Sequence, residues 1–312
     1  MTQEEKGPLV SVVMATYNGG KYLTLQIESI IQQDYRNFEL VIVDDCSSDN
    51  TQEIINKYSA EHSYIRVVTN EKNVGYIKNF EKAMLLASGS LIALSDQDDI
   101  WDKRKLSVLV SCLGSHEMVY CNSTLIDEEG KPVGKILSDI RHQLSFTDPL
   151  MLAIGSTVHG NTMLFKKEVV ERCIPFPLVC AHDFWLAFIA ACKGEIKYID
   201  QSLVLYRQHR ENVFGIIKVE DSEKSKQKEK NQEEIMKIRK RMSLQYRNCP
   251  DTLFPQKEVF KNLNESYTSF SLKNNLLRMS LFFKYRDIFL AYKNKTSIGR
   301  LLFCFKMFYK VK

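Results

Sequence analysis

Near-continuous apolar runs alternate with amphipathic stretches through the first hundred residues. Leu9-Val10-Ser11-Val12-Val13-Met14-Ala15 is rich in β-branched residues and reads as a strand covered on both faces. Lys21 to Gln33 follows, with Leu23, Ile27, Ile30 and Ile31 at helical spacing. Phe38 to Val43 predicts the next strand, and Ser48 or Asp49 is placed to cap a helix carrying Ile54, Ile55 and Tyr58. Tyr64 to Thr69 predicts a third strand, Ile77, Phe80 and Met84 mark a third helix face, and Leu91-Ile92-Ala93-Leu94 is a fourth short strand. Strand and helix alternating at this spacing specify parallel strands joined by right-handed crossovers. The loops after such strands gather at one sheet edge, where ligands bind. Thr16-Tyr17-Asn18, Asp44-Asp45 and Asp96-Gln97-Asp98-Asp99 each follow a predicted strand and should therefore converge.

Beyond this the pattern becomes α+β. Short strands are expected around Met118 to Asn122, Asn161 to Phe165 and Leu203 to Tyr206, with a helix from Asp183 to Cys192. Residues 216–247 carry mixed charge and few apolar side chains, which reads as a solvated helix or a mobile segment. From Leu272 onward, apolar and aromatic residues (Leu276, Leu277, Leu281, Phe282, Phe283, Phe289, Leu301, Leu302, Phe303, Phe305, Phe308) mix with ten Lys/Arg and one acid, Asp287. Two uses suit such a tail: an amphipathic surface held at a membrane, or helices packed on the catalytic part or on a second copy.

Composition narrows the classes. With 312 residues, 44% hydrophobic and 26% charged, the chain has material for one large α/β domain and an appendage. A formal charge of +5 gives no argument for nucleic acid as a partner. The eight cysteines form no CxxC pair or zinc-spaced cluster and read as buried free thiols of a reducing compartment. No basic segment followed by an apolar run opens the sequence, and no spanning stretch is present. The expected location is the cytoplasm, at most peripheral on the inner face of the cell membrane.

Three carboxylates in four residues, Asp96, Asp98 and Asp99, directly after an apolar strand are unfavourable without a compensating cation or donor groups. A hard divalent cation shared with phosphate oxygens fits, as does a solvated turn before a helix starting near Asp102. Asp44-Asp45 offers a carboxylate able to accept the imide N–H of uracil or thymine. Thr16-Tyr17-Asn18-Gly19-Gly20 contains no GxGxxG, so a dinucleotide fingerprint is absent.

Taken together, VSVVMATYN (10–18), FELVIVDDCSSDNT (38–51), NVGYIKNFEKAMLLASG (73–89) and LIALSDQDDIW (91–101) resemble the family 2 glycosyltransferases, over residues 8 to 215. The resemblance implies an α/β GT-A fold: a Rossmann-like nucleotide-binding half (8–110) with a mostly parallel central sheet and helices on both faces, and an acceptor-binding half (111–215). A helical, basic extension (216–312) would complete the chain. It implies that Thr16, Tyr17, Asp45 and Asp96 hold the nucleoside, with Asn18 and Gln97 beside them, and that Asn73, Gly75 and Lys78 border the nucleotide. Asp98 would bind Mg²⁺ or Mn²⁺ bridging the donor phosphates, and His209 would be an additional metal ligand. Where the family commonly has glycine after the acidic pair, this chain has Cys46.

An inverting transfer needs a carboxylate that takes the acceptor proton. The family's Glu-Asp pair matches His182-Asp183, making Asp183 the expected base; an N-terminal helix cap is the structural alternative. His182 would orient Asp183, contact the acceptor, or sit buried and hydrogen-bonded. Arg207 and Arg210 are candidates for the diphosphate, and Trp101 and Asn161 for phosphate or acceptor contacts, with Gly155 to Asn161 lining the acceptor side. The SDQDDIW form resembles rhamnosyl- and related transferases of bacterial surface polysaccharides. The expected donor is thus dTDP-rhamnose or a UDP-hexose, and the expected acceptor a glycan or lipid-linked hydroxyl. The glutamine–arginine–tryptophan signature of processive synthases is missing, which favours single-sugar addition. A nucleotidyltransferase, which usually carries a Gly-rich basic phosphate loop after the first strand, is one rival. The other is a non-catalytic nucleotide-sugar or glycan binder of the same fold.

Overall fold

The computed structural model describes residues 7–210 and 227–310, without the side chains of 227–231. Its first half alternates as expected: β1 (Val10–Thr16), α1 (Leu23–Ile31), β2 (Phe38–Asp44), α2 (Thr51–Glu61), β3 (Ile65–Thr69), α3 (Tyr76–Leu86) and β4 (Leu91–Ser95). There follow β5 (Ile100–Trp101), α4 (Lys105–Leu113), β6 (Met118–Ile126), β7 (Pro132–Ile136), α5 (Leu137–Ile140), β8 (Met163–Lys166), α6 (Glu168–Cys173), α7 (His182–Ala191) and β9 (Ile196–Arg207). The C-terminal part is helical: α8 (Gln227–Asn248), α9 (Phe254–Tyr267), α10 (Leu272–Lys284), α11 (Arg286–Phe289) and α12 (Ser297–Lys306).

One sheet runs in the order β3-β2-β1-β4-β8-β6-β9-β5, with β7 on β6. Its first half is parallel, with Thr16 paired to Asp44 and Asp44 to Thr69 at the strand ends. Strand β8 joins β4 antiparallel, so the second half is mixed. The apolar runs of β1 and β4 become central strands: Val10, Val12, Val13, Met14, Ile92, Ala93 and Leu94 are fully buried. Each of these side chains except Ala93 contributes roughly 1.5–3 kcal/mol relative to exposure.

Short elements escaped the sequence pattern. Between the acidic loop and α4 lies the two-residue β5, paired with Val204 and Leu205 of β9, so the helix begins at Lys105 rather than near Asp102. Helix α2 starts one turn beyond Ser48, with Asn50 in the cap position; Asp49 still accepts the Thr51 N–H.

Of the charged stretch 216–247, residues 216–226 lie outside the described residues; the rest belongs to α8. That helix is not simply solvated, because Ile238 and Met242 enter the core that also holds Phe188, Phe260 and Phe282. The tail divides by face. Leu281, Phe282, Phe289 and Met307 are buried, whereas Leu276, Leu301, Leu302 and Phe305 are exposed. All eight cysteines are free. Among the described residues no helix is long and apolar enough to cross a membrane.

Candidate active site

The loops after β1, β2 and β4 meet, as parallel topology requires, and wall a cavity of about 640 Å³. Thr16, Tyr17, Asn18, Asp45, Asn73, Gly75, Asp96, Gln97, Asp98, Asn161, His182, Asp183 and His209 all line it.

The first two loops brace each other. Asn18 takes a positive φ of 48°, and its side-chain oxygen accepts the Ser48 N–H at 2.8 Å. Gln97 exchanges two hydrogen bonds with the Tyr17 backbone, at 2.9 and 3.1 Å, tying the acidic loop to the first strand's end. The acidic pair divides its work. Asp44 is fully buried and accepts from Thr16 Oγ1, the Ser47 N–H and Gln52 Nε2, so it holds the loop and does not reach the cavity. Asp45 does reach it. Its carboxylate accepts the Val74 and Gly75 N–H groups and Asn70 Nδ2, each at 2.8 Å, at the N-terminal end of α3. That helix end favours a fixed negative charge. Gly75, with φ of 84°, makes the turn into the helix.

The three carboxylates after β4 part company. Asp96 and Asp98 face the cavity, whereas Asp99 is fully buried behind them. Asp99 accepts from Asn161 Nδ2 and from the Arg207 N–H at 3.0 Å. Burial and then the Asp98 charge push its carboxyl up to about 7. Burial, followed by the charges of Asp99, Asp98 and Asp183, pushes Asp96 well above the ordinary carboxylate range. One counter-charge was not legible in the sequence. Lys105 is completely buried, donates to the Asn161 carbonyl at 2.6 Å, and lies 3.1 Å from the Trp101 ring centroid. Burial lowers it to about 7 despite the attraction of Asp99 and Asp96. A lysine in an amphipathic helix ordinarily reads as solvated face, so no sequence signal marked it.

His209 Nε2 lies 2.8 Å from Asp98 Oδ2 at the cavity wall. One carboxylate oxygen and one imidazole nitrogen converging beside two further carboxylates suit a divalent cation. Among the described residues no group of three or more His, Cys, Asp or Glu is arranged to hold a metal ion. Asp98 and His209 supply two donors, so they would hold such an ion only together with oxygens from a ligand or water.

Across the cavity, Asp183 sits one residue into α7. The cap position itself belongs to Ala181, yet the Asp183 carboxylate accepts a free N–H of the helix's first turn, so it serves the helix start as well as facing the cavity. Asp183 accepts its neighbour Phe184's N–H at 2.6 Å and the Gly160 N–H at 3.3 Å. Burial raises its carboxyl to about 6, where proton uptake near neutrality is effective. His182 is buried and stacks on Phe80 with 4.1 Å between centroids. Neither of its ring nitrogens has a hydrogen-bond partner, and burial lowers its pKa to about 3. It neither bonds Asp183 nor behaves as a hydrogen-bonded core histidine. It presents a neutral imidazole to the cavity.

Four expected contacts fall elsewhere. Lys78 pairs with Glu81 outside the cavity. Trp101 is 4% exposed and packs in the core against Lys105. Arg210 is exposed and outside the lining. Arg207 is buried: Nε donates to the Asp98 carbonyl at 2.9 Å and Nη1 to the carbonyls of Asp127 and Glu128 at 3.2 and 2.9 Å. It shapes the acidic loop from behind. Sequence reasoning also passed over Tyr22, Tyr76, Asn79, Phe80 and Tyr206, which complete the walls.

Comparison with known proteins shows the family. The family model described as Glycosyl transferase family 2 matches residues 11–173, just over half of the chain. The chain is 33% identical over 207 residues to the putative teichuronic acid biosynthesis glycosyltransferase TuaG of Bacillus subtilis, covering 64% of this chain and 79% of that one. It is 31% identical over 216 residues to the dTDP-rhamnosyl transferase RfbG of Shigella flexneri, covering 65% and 73%. In fold it is similar to S. aureus TarS (residues 1–349, in complex with UDP-GlcNAc), with a TM-score of 0.58 at 18% identity over 96% of this chain and 90% of that one. The GT-A fold class expected from the sequence stands, with its C-terminal helical region.

Proposed function

Because the chain belongs to glycosyl transferase family 2 and is a glycosyltransferase, we propose that it moves a single sugar, with inversion, from a nucleotide-diphosphate donor to a hydroxyl of a glycan or lipid-linked acceptor in surface polysaccharide synthesis. One observation carries this reading: Asp45, the Asp98–His209 pair and the raised carboxyl of Asp183 share the walls of one cavity. The relatives named for teichuronic acid biosynthesis and for dTDP-rhamnosyl transfer support the surface-glycan setting and a dTDP-rhamnose or UDP-hexose donor.

In this reading residues 8–110 form the nucleotide half, 111–215 the acceptor half and 216–312 the extension. Asp45 accepts the imide N–H of the base, with Tyr17, Asn18 and Asn73 beside it. Asp98 and His209 would hold a Mg²⁺ or Mn²⁺ ion, which when bound would offset charge on the leaving group. Asp183 takes the proton of the acceptor hydroxyl as that oxygen bonds to the anomeric carbon. The anomeric carbon–phosphate oxygen bond breaks, and the nucleoside diphosphate departs with the electron pair. Displacement from the face opposite the leaving group inverts the anomeric centre. The enzyme works in the cytoplasm.

The test is a thermal-shift panel of UDP-glucose, dTDP-rhamnose and GDP-mannose with and without Mn²⁺. Stabilisation by a UDP- or dTDP-sugar that grows with Mn²⁺ is expected. Stabilisation by none of them, with or without metal, would contradict the reading.

A further inference from the structure

The last helix leaves one face largely exposed, where Phe305 meets the ring of Phe283 with 4.8 Å between centroids. Helix α12 is capped by Thr296, whose Oγ1 accepts the Gly299 N–H at 3.1 Å. Its inner face is well docked: Cys304 and Met307 are buried, and Phe303 meets Phe282 of α10. On its outer side Ile298, Leu301, Leu302 and Phe305 are 71%, 39%, 64% and 57% exposed, and Tyr309, in the turn after the helix, is 65% exposed. Spacing of three, one and three residues puts the four helical ones on one stripe. Single exposed hydrophobes need no explanation, whereas a stripe of four does.

Charge says what covers it. Segment 272–312 holds ten Lys/Arg and one acid, so its surplus exceeds the +5 of the whole chain and the remaining 271 residues are net acidic. No acid follows Asp287, and Asp287 itself pairs with Arg300 at 3.3 Å. Lys295 and Lys310 flank the stripe and are exposed. A two-fold contact between copies through this face would press both basic rims together. An anionic lipid leaflet accepts both features: the apolar stripe enters the acyl boundary while the cations reach headgroup phosphates.

We infer that α12 is a membrane-docking helix that lies in the plane of an anionic leaflet on its Ile298–Leu301–Leu302–Phe305 stripe, with Tyr309 just beyond it. The same segment is tied to the cavity wall. Asn294 Nδ2 donates to the Asp139 carbonyl and the His142 N–H to the Tyr292 carbonyl, both at 3.1 Å. Thr157 Oγ1 donates to the His142 carbonyl at 3.1 Å, two residues from His159 at the cavity. Docking would thereby fix the acceptor side relative to the membrane surface. That consequence rests on the lipid-linked acceptor proposed above; the docking itself does not.

The test is flotation of the full chain with vesicles of phosphatidylcholine alone and of phosphatidylcholine with 30% phosphatidylglycerol (about the anionic fraction that gives a strong surface potential). The wild type should float with the anionic vesicles, less so in high salt. Ile298→Glu/Leu302→Glu should lose roughly ten-fold or more of that binding while keeping its melting temperature and its nucleotide-sugar thermal shift. Lys295→Glu/Lys310→Glu, which leaves the stripe intact, should weaken binding only to the anionic vesicles. Failure of the wild type to bind, equal binding by the apolar variant, or a wild-type dimer that the apolar variant dissociates would each overturn the proposal. The thermal shift reports on the catalytic reading separately.

Discussion

The imidazole Nε2 of His209 lies 2.8 Å from Asp98 Oδ2, across 111 residues of sequence. Strand β9 brings the histidine there, and Arg207, two residues earlier, fixes the acidic loop by bonding the Asp98 carbonyl. If the two side chains share a metal with the donor, removing either should weaken only metal-dependent binding. Asp98→Asn and His209→Ala should each lower Mn²⁺-supported affinity for a UDP- or dTDP-sugar by about ten-fold or more, the scale of a lost charged contact. Calorimetric titration with and without Mn²⁺ checks this; a loss equal in both conditions would point to a purely structural pair.

Arg207 is expected to act through stability. Its guanidinium is buried, donates to three backbone carbonyls and lies 4.5 Å from the Tyr22 ring centroid. Arg207→Ala leaves those carbonyls unpaired at about 1–3 kcal/mol each at most, so a loss of roughly 3 kcal/mol in unfolding free energy is expected. Urea denaturation measures it. A variant of normal stability with selectively weakened diphosphate binding would restore the phosphate role.

Cys46 occupies backbone that suits glycine. Its φ is 64°, in the left-handed region, and its side chain is exposed, with Sγ 3.8 Å from the Glu71 carbonyl. A non-glycine residue there costs about 1–2 kcal/mol, partly offset by glycine's greater entropy loss on folding. Cys46→Gly should therefore raise stability by up to about 1 kcal/mol and leave donor binding unchanged, as read by melting temperature and titration. A lowered melting temperature would show that the thiol contact matters more than the backbone.

The sequence made the parallel half of the fold legible because central strands bury both faces, so β1, β2 and β4 are continuous apolar runs with acidic or polar loops at their ends. Convergence of Asp45, Asp96 and Asp98 followed from topology alone. Direction of side chains did not. Arg207 read as a cation near the diphosphate and Lys78 as bordering the nucleotide, yet one turns inward to carbonyls and the other pairs with Glu81. Lys105 was hidden because helical periodicity cannot distinguish a solvated lysine from one buried over Trp101. The tail's two faces were equally hidden, since its aromatic residues serve both the core and the outer stripe.

Asp183 sets a pH dependence with opposite signs for activity and stability. Burial raises its carboxyl from 3.8 to about 6 in the folded protein. Its contribution to stability is thus present below pH 3.8 and lost as pH rises to about 6, by on the order of 2–3 kcal/mol. A base must be ionised, so kcat/KM should climb through an acid limb near pH 6 while this part of the stability falls. Comparing urea unfolding of the wild type and Asp183→Asn from pH 4 to 7 should show the difference growing up to about pH 6 and then levelling. A constant difference would mean that Asp183 titrates normally.

The chemical step assigned to Asp183 is tested most directly by Asp183→Asn. With the nucleotide sugar that stabilises the wild type, Mn²⁺ and a lipid-linked acceptor fraction, release of nucleoside diphosphate is measured beside the donor-induced thermal shift. The variant should keep the shift and lose at least about 100-fold in release, the lower range for a general base. Release at the wild-type rate, with the shift intact, would contradict that assignment.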